Sequence, residues 1–303
     1  YSKKYYGKGK GVSALTMSAN HLPLATKMIG SNDHESHSLY DIVSSNTSDI
    51  EVAAISGDMH SINRVNFALL YMFGYQFMPR FTNLDKRAAA NLVCFDDPEK
   101  YADYMIRPST KVNKKLIKKE WDNLLRIFAT LGLKKITQTN IVRKLSSHKS
   151  DDTIKALIEF DKIIMSIYML HYIDNEDTRK VVFKSLNRGE SYHQLRSAIA
   201  KVSGRKLAGK GEIEIINNNE CARLLTICII FYNASILSGI YDYYKSKNME
   251  EECNRIIRLS PVAWQHINLI GRYEFNNNAP TLDLQGIIDM LIHDSEIALA
   301  LGS

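Results

Sequence analysis

Four cysteines are all the chain has, and Cys94, Cys221, Cys228 and Cys253 form no CxxC pair and no tight framework. That excludes a disulfide scaffold, and buried free thiols in a reducing compartment are the expectation. No signal-peptide pattern precedes the first β-prone run, which opens on polar and basic residues. Internal repeats and low-complexity tracts are also lacking. The longest apolar stretch, Leu224 to Tyr244, nears membrane-spanning length, yet Thr226, Asn233, Ser235 and Ser238 interrupt it. A buried core helix in a soluble, cytoplasmic protein without membrane partners is therefore expected.

What is present suits a globular domain. The 303 residues are 45% hydrophobic, enough for a proper core in one large or two moderate domains. The 39 Lys and Arg exceed the 33 Asp and Glu, for a net charge of +6 that is compatible with a polyanionic partner. The basic residues gather in three places: Lys3, Lys4, Lys8 and Lys10; Lys111 to Lys119; and Lys201 to Lys210. Each is a solvated face or a phosphate-binding one.

Periodicity supplies the organisation. Two β-prone runs flank Asn20-His21, as in a hairpin. "NDHESHSLYDIVSSN" is helical by spacing. Residues 51–57, "EVAAISG", read as a strand buried on both faces and ending at Asp58. Ile62, Val65, Leu69, Leu70 and Phe73 then mark an amphipathic helix closed by Gly74. "YQFMPRF" is a further strand. Strongly periodic helices fill 82–180, followed by "SLNRGESYHQLRSAI" (185–199), a Gly/Lys-rich break, the long apolar helix, a polar turn "NNNAPT" and a last helix near 283–299. The expected fold is a mixed sheet with helices on both faces. The expected divisions are 1–81, 82–180, 181–246 and 247–303.

Several residues have two readings. Asp58 is either an N-cap or a ligand-site carboxylate at a strand's C-terminal end. Asn187-Arg-Gly-Glu190 has capping-box spacing, so Glu190 either caps a helix or serves with Asp58 as a Mg²⁺ ligand. His34 and His37 stand at i, i+3 near Asp33 and Glu35, but nothing completes a zinc set. His60 and His193 each lie within three residues of a candidate carboxylate.

Five blocks, taken in order, carry a resemblance: "YYGKGKGVSALTMSANHLPLATKMIGSNDHESHSLYDIVSSNTSDI", "VNFALLYMFGYQFMPRF", "LNRGESYHQLRSAI", "NECARLLTICIIFYNASILS" and "SPVAWQHINLIGRYEF". Together they resemble the C-terminal catalytic (DDE) region of transposases of the Tn-three family of replicative bacterial transposons. The resemblance implies a ribonuclease-H-like α/β core with a large helical insertion and C-terminal helices. It also implies a two-metal Mg²⁺ site, with Mn²⁺ as a substitute, that nicks DNA at terminal inverted repeats and transfers the 3′-hydroxyl into target DNA. DNA, a homodimer and a nucleoid-associated bacterial setting come with it.

The second acidic residue of that pattern matches Asp58, and the third, opening its helix, matches Glu190, 132 positions later (58 to 190). His193, Arg188, Arg196 and His60 fall where DNA or phosphate contacts belong. "SGDMHS" departs from the usual threonine-before, glycine-after setting of the second carboxylate. The family's first Asp lies upstream of Tyr1, on a first strand absent here, so an incomplete site and no activity in isolation are expected. The alternative is a transposase-derived, catalytically incomplete module for DNA binding or oligomerisation.

Overall fold

The computed structural model describes residues 11–30, 33–147, 150–204, 209, 211–271 and 282–301. Lys3, Lys4, Lys8 and Lys10, together with Arg205, Lys206, Lys210 and the "NNNAPT" turn, lie outside the described residues.

The chain is mixed α/β and mainly helical. Strands β1 (Val12–Ala19) and β2 (Leu22–Gly30) form the expected hairpin. Its Asn20 and His21 have φ of 48° and 73°, the backbone that a two-residue type I′ turn demands. A 3₁₀ turn (Glu35–Ser38) leads into α1 (Leu39–Val43). Strand β3 (Ala54–Gly57), helix α2 (Asn66–Met72) and strand β4 (Gln76–Pro79) follow. Gly74, at φ +80°, ends α2 as its spacing predicts.

Next come α3 (Leu84–Asn91), the short strands β5 (Val93–Cys94) and β6 (Thr110–Lys111), α4 (Lys114–Gly132), α5 (Gln138–Ser147) and α6 (Asp152–Asp174). Helix starts follow local chemistry: Asn113 caps α4 through the Leu116 N–H, and Asp151 caps α6 through the Thr153 N–H. Helices α7 (Glu176–Ala200), α8 (Glu212–Ser246), α9 (Glu250–Ile257) and α10 (Leu284–Leu301) complete the order.

The described strands make three separate two-stranded sheets rather than one mixed sheet. β3 and β4 are parallel, with Gly57 opposite Pro79. β3 is not buried on both faces as its apolar run suggested: Ala54 is exposed and Ile55, Ser56 and Gly57 are half-buried. The physical reason is that β3 has a strand neighbour on one edge alone among the described residues.

Two compact units divide the chain, one of Tyr1–Met17 and Leu24–Asn187, the other of Ser18–Pro23 and Arg188–Ser303. In the first, α2 is the centre of the core. Phe67, Leu69 and Leu70 pack with Leu124, Leu131, Leu157 and Met169, all nearly inaccessible. Full burial of such a side chain stabilises by about 1.5–3 kcal/mol. Phe67, Phe77, Phe81, Tyr168 and Tyr172 form a chain of tilted and edge-on rings. The Tyr168 hydroxyl donates to the Pro79 carbonyl at 2.9 Å, fixing the end of β4 beside Gly57.

The second unit buries Leu195, Ile199, Ile229, Ile230 and Val262. Helix α8 turns a partly polar face inward: Asn219, Thr226 and Asn233, seven residues apart, are all buried. Leu224, Leu225, Cys228 and Phe231 are exposed. By length and composition α8 can cross a membrane, and 22% of its most apolar 18-residue window is buried. The expected buried core helix is thus corrected, and so is the burial of Cys221 and Cys228. The sequence signal was hydrophobicity, whereas Asn219 and Asn233 are held inward by hydrogen bonds with Arg196 and with the Pro261 and Ala263 carbonyls, and the Thr226 hydroxyl donates to the Ala222 carbonyl of the same helix. Cys94 alone is a buried free thiol.

Candidate active site

Asp58 stands at the C-terminal end of β3, where the strand gives way to a 3₁₀ turn (Met59–Ser61). Its Oδ1 accepts the His60 N–H at 2.8 Å. Its main-chain carbonyl accepts the Ser61 hydroxyl at 2.5 Å. The cap and ligand readings of Asp58 are therefore compatible: one oxygen holds the turn, while Oδ2 takes no hydrogen bond among the described residues. The carboxylate and His60 are both exposed.

Gly57 is required by this turn. A Cβ there would overlap the Ser61 side chain. On the other flank Thr82 donates its N–H and hydroxyl to the Met59 sulfur, at 3.3 and 3.0 Å.

Glu190 is placed differently from its capping-box reading. It lies well inside α7, which starts fourteen residues earlier at Glu176. The N-cap role belongs to Asn175, whose Oδ1 accepts the Thr178 N–H at 2.8 Å. A single Gly189 costs a helix only about 1 kcal/mol relative to Ala. Burial of Tyr192, Leu195, Ala198 and Ile199 outweighs it, so the helix runs through. Glu190 and His193 are exposed one turn apart, and Arg188 is half-buried.

Arg196 is directed into the second unit. Its Nη2 donates to Asn219 Oδ1 of α8 at 2.9 Å, while Nη1 is buried with no partner among the described residues. Asp58 and His60 belong to the first unit; Arg188, Glu190, His193 and Arg196 belong to the second.

The "NDHESH" histidines stack on each other at 5.5 Å, and His34 Nδ1 pairs with the Ser36 hydroxyl at 2.8 Å. Burial, then the neighbouring His34 and Arg143, hold the His37 imidazole below its ordinary pKa, against the pull of Asp33. A cavity of about 210 Å³ adjoins them, lined by Lys27, Asp33, His37, Thr137 and Thr139. Lys27 is paired with Asp41 at 2.7 Å and Arg143 with Asp33 at 2.8 Å. No group of three or more His, Cys, Asp or Glu able to hold a metal occurs among the described residues.

Asn66 and Gln138 escaped the sequence reading. Both are buried and belong to one hydrogen-bonded network that reaches Ser61. The available signal was Asn66 itself, a carboxamide on the apolar stripe between Val65 and Leu69.

Residues 1–273 match the family model described as the Tn3 transposase DDE domain, and the chain belongs to that family. It is similar to the transposase for transposon Tn2501 of Escherichia coli, 28% identical over 277 residues. It is likewise similar to the transposase for transposon Tn1546 of Enterococcus faecium, at 24% over 275 residues. The transposase for transposon gamma-delta of Escherichia coli (strain K12) is 25% identical over 284 residues. Each alignment covers 90% of this chain and 27% of the relative, so the chain spans about a quarter of the length of these curated relatives.

Proposed function

We propose that this chain is the catalytic portion of a replicative DDE transposase. It would nick DNA at transposon terminal inverted repeats and transfer the freed 3′-hydroxyl into target DNA. The observation that carries the reading is Asp58: an exposed carboxylate, one oxygen free, at the C-terminal end of a parallel strand in a family-matched DDE domain. We read β3 and β4 as part of a ribonuclease-H-like core, with α3 to α6 as its helical insertion.

The family implies a divalent metal. Asp58 and Glu190 are each an exposed carboxylate, the kind of donor a hard cation takes, since Mg²⁺ prefers few carboxylate oxygens plus water and phosphate. A bound pair of such ions would neutralise charge at the scissile phosphate and favour the attacking oxygen as a nucleophile. Asp58 and Glu190 would hold them. His193, one turn from Glu190, would donate to a phosphate oxygen, with Arg188 beside it. Arg196, with Nη2 held by Asn219 and Nη1 buried, would have to swing outward to reach a phosphate. His60 would support the Asp58 turn through its amide. Phosphoryl transfer asks mainly for positioning and electrostatics, which a capped turn and a rigid helix supply.

DNA is the partner this reading requires. A homodimer, able to hold two transposon ends, and a nucleoid-associated cytoplasmic setting are its corollaries. In the full-length natural protein, Asp58→Asn and Glu190→Gln should each cut strand nicking and transfer by at least about 100-fold, the scale of a lost catalytic group. DNA affinity should stay within about twofold, because phosphate neutralisation by Lys and Arg is untouched. Mn²⁺ binding, followed by electron paramagnetic resonance, should weaken in both variants. Transfer that survives either substitution would favour the non-catalytic DNA-binding module.

A further inference from the structure

The Asp58 turn is held from behind by a buried polar hub contributed by a remote stretch of sequence. Gln138, the first residue of α5, is 1% exposed, and Asn66 and Ser36 are wholly buried. The Gln138 Nε2 group donates to Asn66 Oδ1 at 2.6 Å and to the Ser36 carbonyl at 3.0 Å. Gln138 Oε1 accepts the Tyr40 N–H at 2.7 Å. Asn66 Nδ2 donates to the Ser36 carbonyl at 2.9 Å and to the Ser61 carbonyl at 2.8 Å. Ser61 then donates its hydroxyl to the Asp58 carbonyl at 2.5 Å.

Both carboxamides use both of their N–H donors, and each carbonyl oxygen accepts one hydrogen bond. Burying them unbonded would cost several kcal/mol each. An apolar residue at 66 would suit the surrounding core without that demand. A fully satisfied network in a low-dielectric interior permits one arrangement and resists others. Its outer end is the main chain of Asp58, and Gly57 leaves the space that lets Ser61 close on it. The hub therefore links the start of α5 to the main chain of Asp58.

We propose that Gln138 is a positioning residue for Asp58, acting through Asn66 and Ser61. The proposal rests on the reading of Asp58 as a metal ligand. Removing an outer-shell partner of a ligand typically weakens metal affinity by about 10–100-fold.

The test uses the full-length natural protein with Mn²⁺ as the probe. Gln138→Met removes the hub's centre at nearly constant volume, and Ser61→Ala removes only the last link. Each should weaken Mn²⁺ binding, read by electron paramagnetic resonance, by about 10-fold. Hydrogen exchange of the amides at 59–62 should speed up in both. Strand nicking should need more Mn²⁺ for half-saturation yet reach the wild-type plateau. Thr226→Val, an equally buried polar loss in the second unit, controls for general destabilisation and should leave Mn²⁺ affinity unchanged. If Gln138→Met fails to fold, Ser61→Ala decides. Unchanged Mn²⁺ affinity in the folded variants, with Asp58→Asn losing it, would overturn the positioning role and leave the Asp58 reading standing. Wild-type Mn²⁺ binding by Asp58→Asn would overturn both.

Discussion

Asp161 of α6 accepts the Ala68 N–H of α2 at 2.9 Å, and does so at 2% exposure, out of reach of water. It satisfies the orphan amides at the start of the helix that follows the Asp58 turn, a cap supplied from 93 residues away. Burial pushes its carboxyl up to about 7, opposed by the amides of Ala68 and Phe67. In the unfolded chain an Asp ionises near 3.9. The folded state therefore holds the proton more tightly, and this group's contribution is full below about pH 4 and lost as pH rises through 7. The stability advantage of wild type over Asp161→Asn should shrink across that window, by at most about 1.4 kcal/mol per pH unit. Urea unfolding at pH 4.5, 6 and 7.5 measures it, and parallel curves for the two proteins would refute it.

Gly57→Ala puts a methyl group on the Ser61 side chain. Overpacking at such a contact costs about 1–3 kcal/mol. The melting temperature should fall, and Ser61→Gly in the same chain should recover part of the loss by opening the space. Recovery will be incomplete, since the hydroxyl bond to the Asp58 carbonyl goes with it. A double variant no better than Gly57→Ala would show that the strain lies elsewhere.

Much of this frame was legible in the sequence, and the failures have physical causes. Asn20-His21 announced its hairpin because positive φ at both turn positions suits few residues. Gly74 announced the end of α2 for a similar reason. Glu190 was misplaced on its helix because Asn187-Arg-Gly-Glu190 mimics a capping box, while the real cap, Asn175, follows α6 with no break in hydrophobic pattern. The inward turn of Asn219 and Asn233 on α8 and the Gln138 hub were invisible because their partners lie far away in sequence. No local period reports a carboxamide whose bonds close 72 residues apart.

Arg196 tests whether a candidate phosphate contact also holds the fold. Arg196→Ala removes the hydrogen bond that Nη2 donates to Oδ1 of Asn219, itself 2% exposed. The expected loss is about 1–3 kcal/mol of stability. A double-mutant cycle with Asn219→Ala should show coupling, as for any directly bonded pair. Lost DNA affinity with unchanged stability would instead assign Arg196 to phosphate alone.

The Lys111 to Lys119 cluster separates into occupied and free cations. Lys111 pairs with Asp97 at 3.2 Å, Lys119 with Asp152 at 3.0 Å, and Lys114 lies 4.7 Å from the centroid of the Phe95 ring. Lys115 and Lys118 on α4 are exposed and make no ion pair among the described residues. Only unpaired cations can displace counterions from DNA without first breaking a protein contact. Each phosphate neutralised adds about 0.9 to the slope of log affinity against log salt concentration. Lys115→Gln with Lys118→Gln should therefore weaken DNA binding at low salt and flatten that slope by up to roughly 2. Lys119→Gln should change it less, because Asp152 already competes for that charge. Filter binding or fluorescence anisotropy between 50 and 200 mM salt, the range over which about 10³–10⁵ in affinity is lost for six to ten contacts, reads the slope directly. An unchanged slope in the double variant would mean that this end of α4 does not face the DNA.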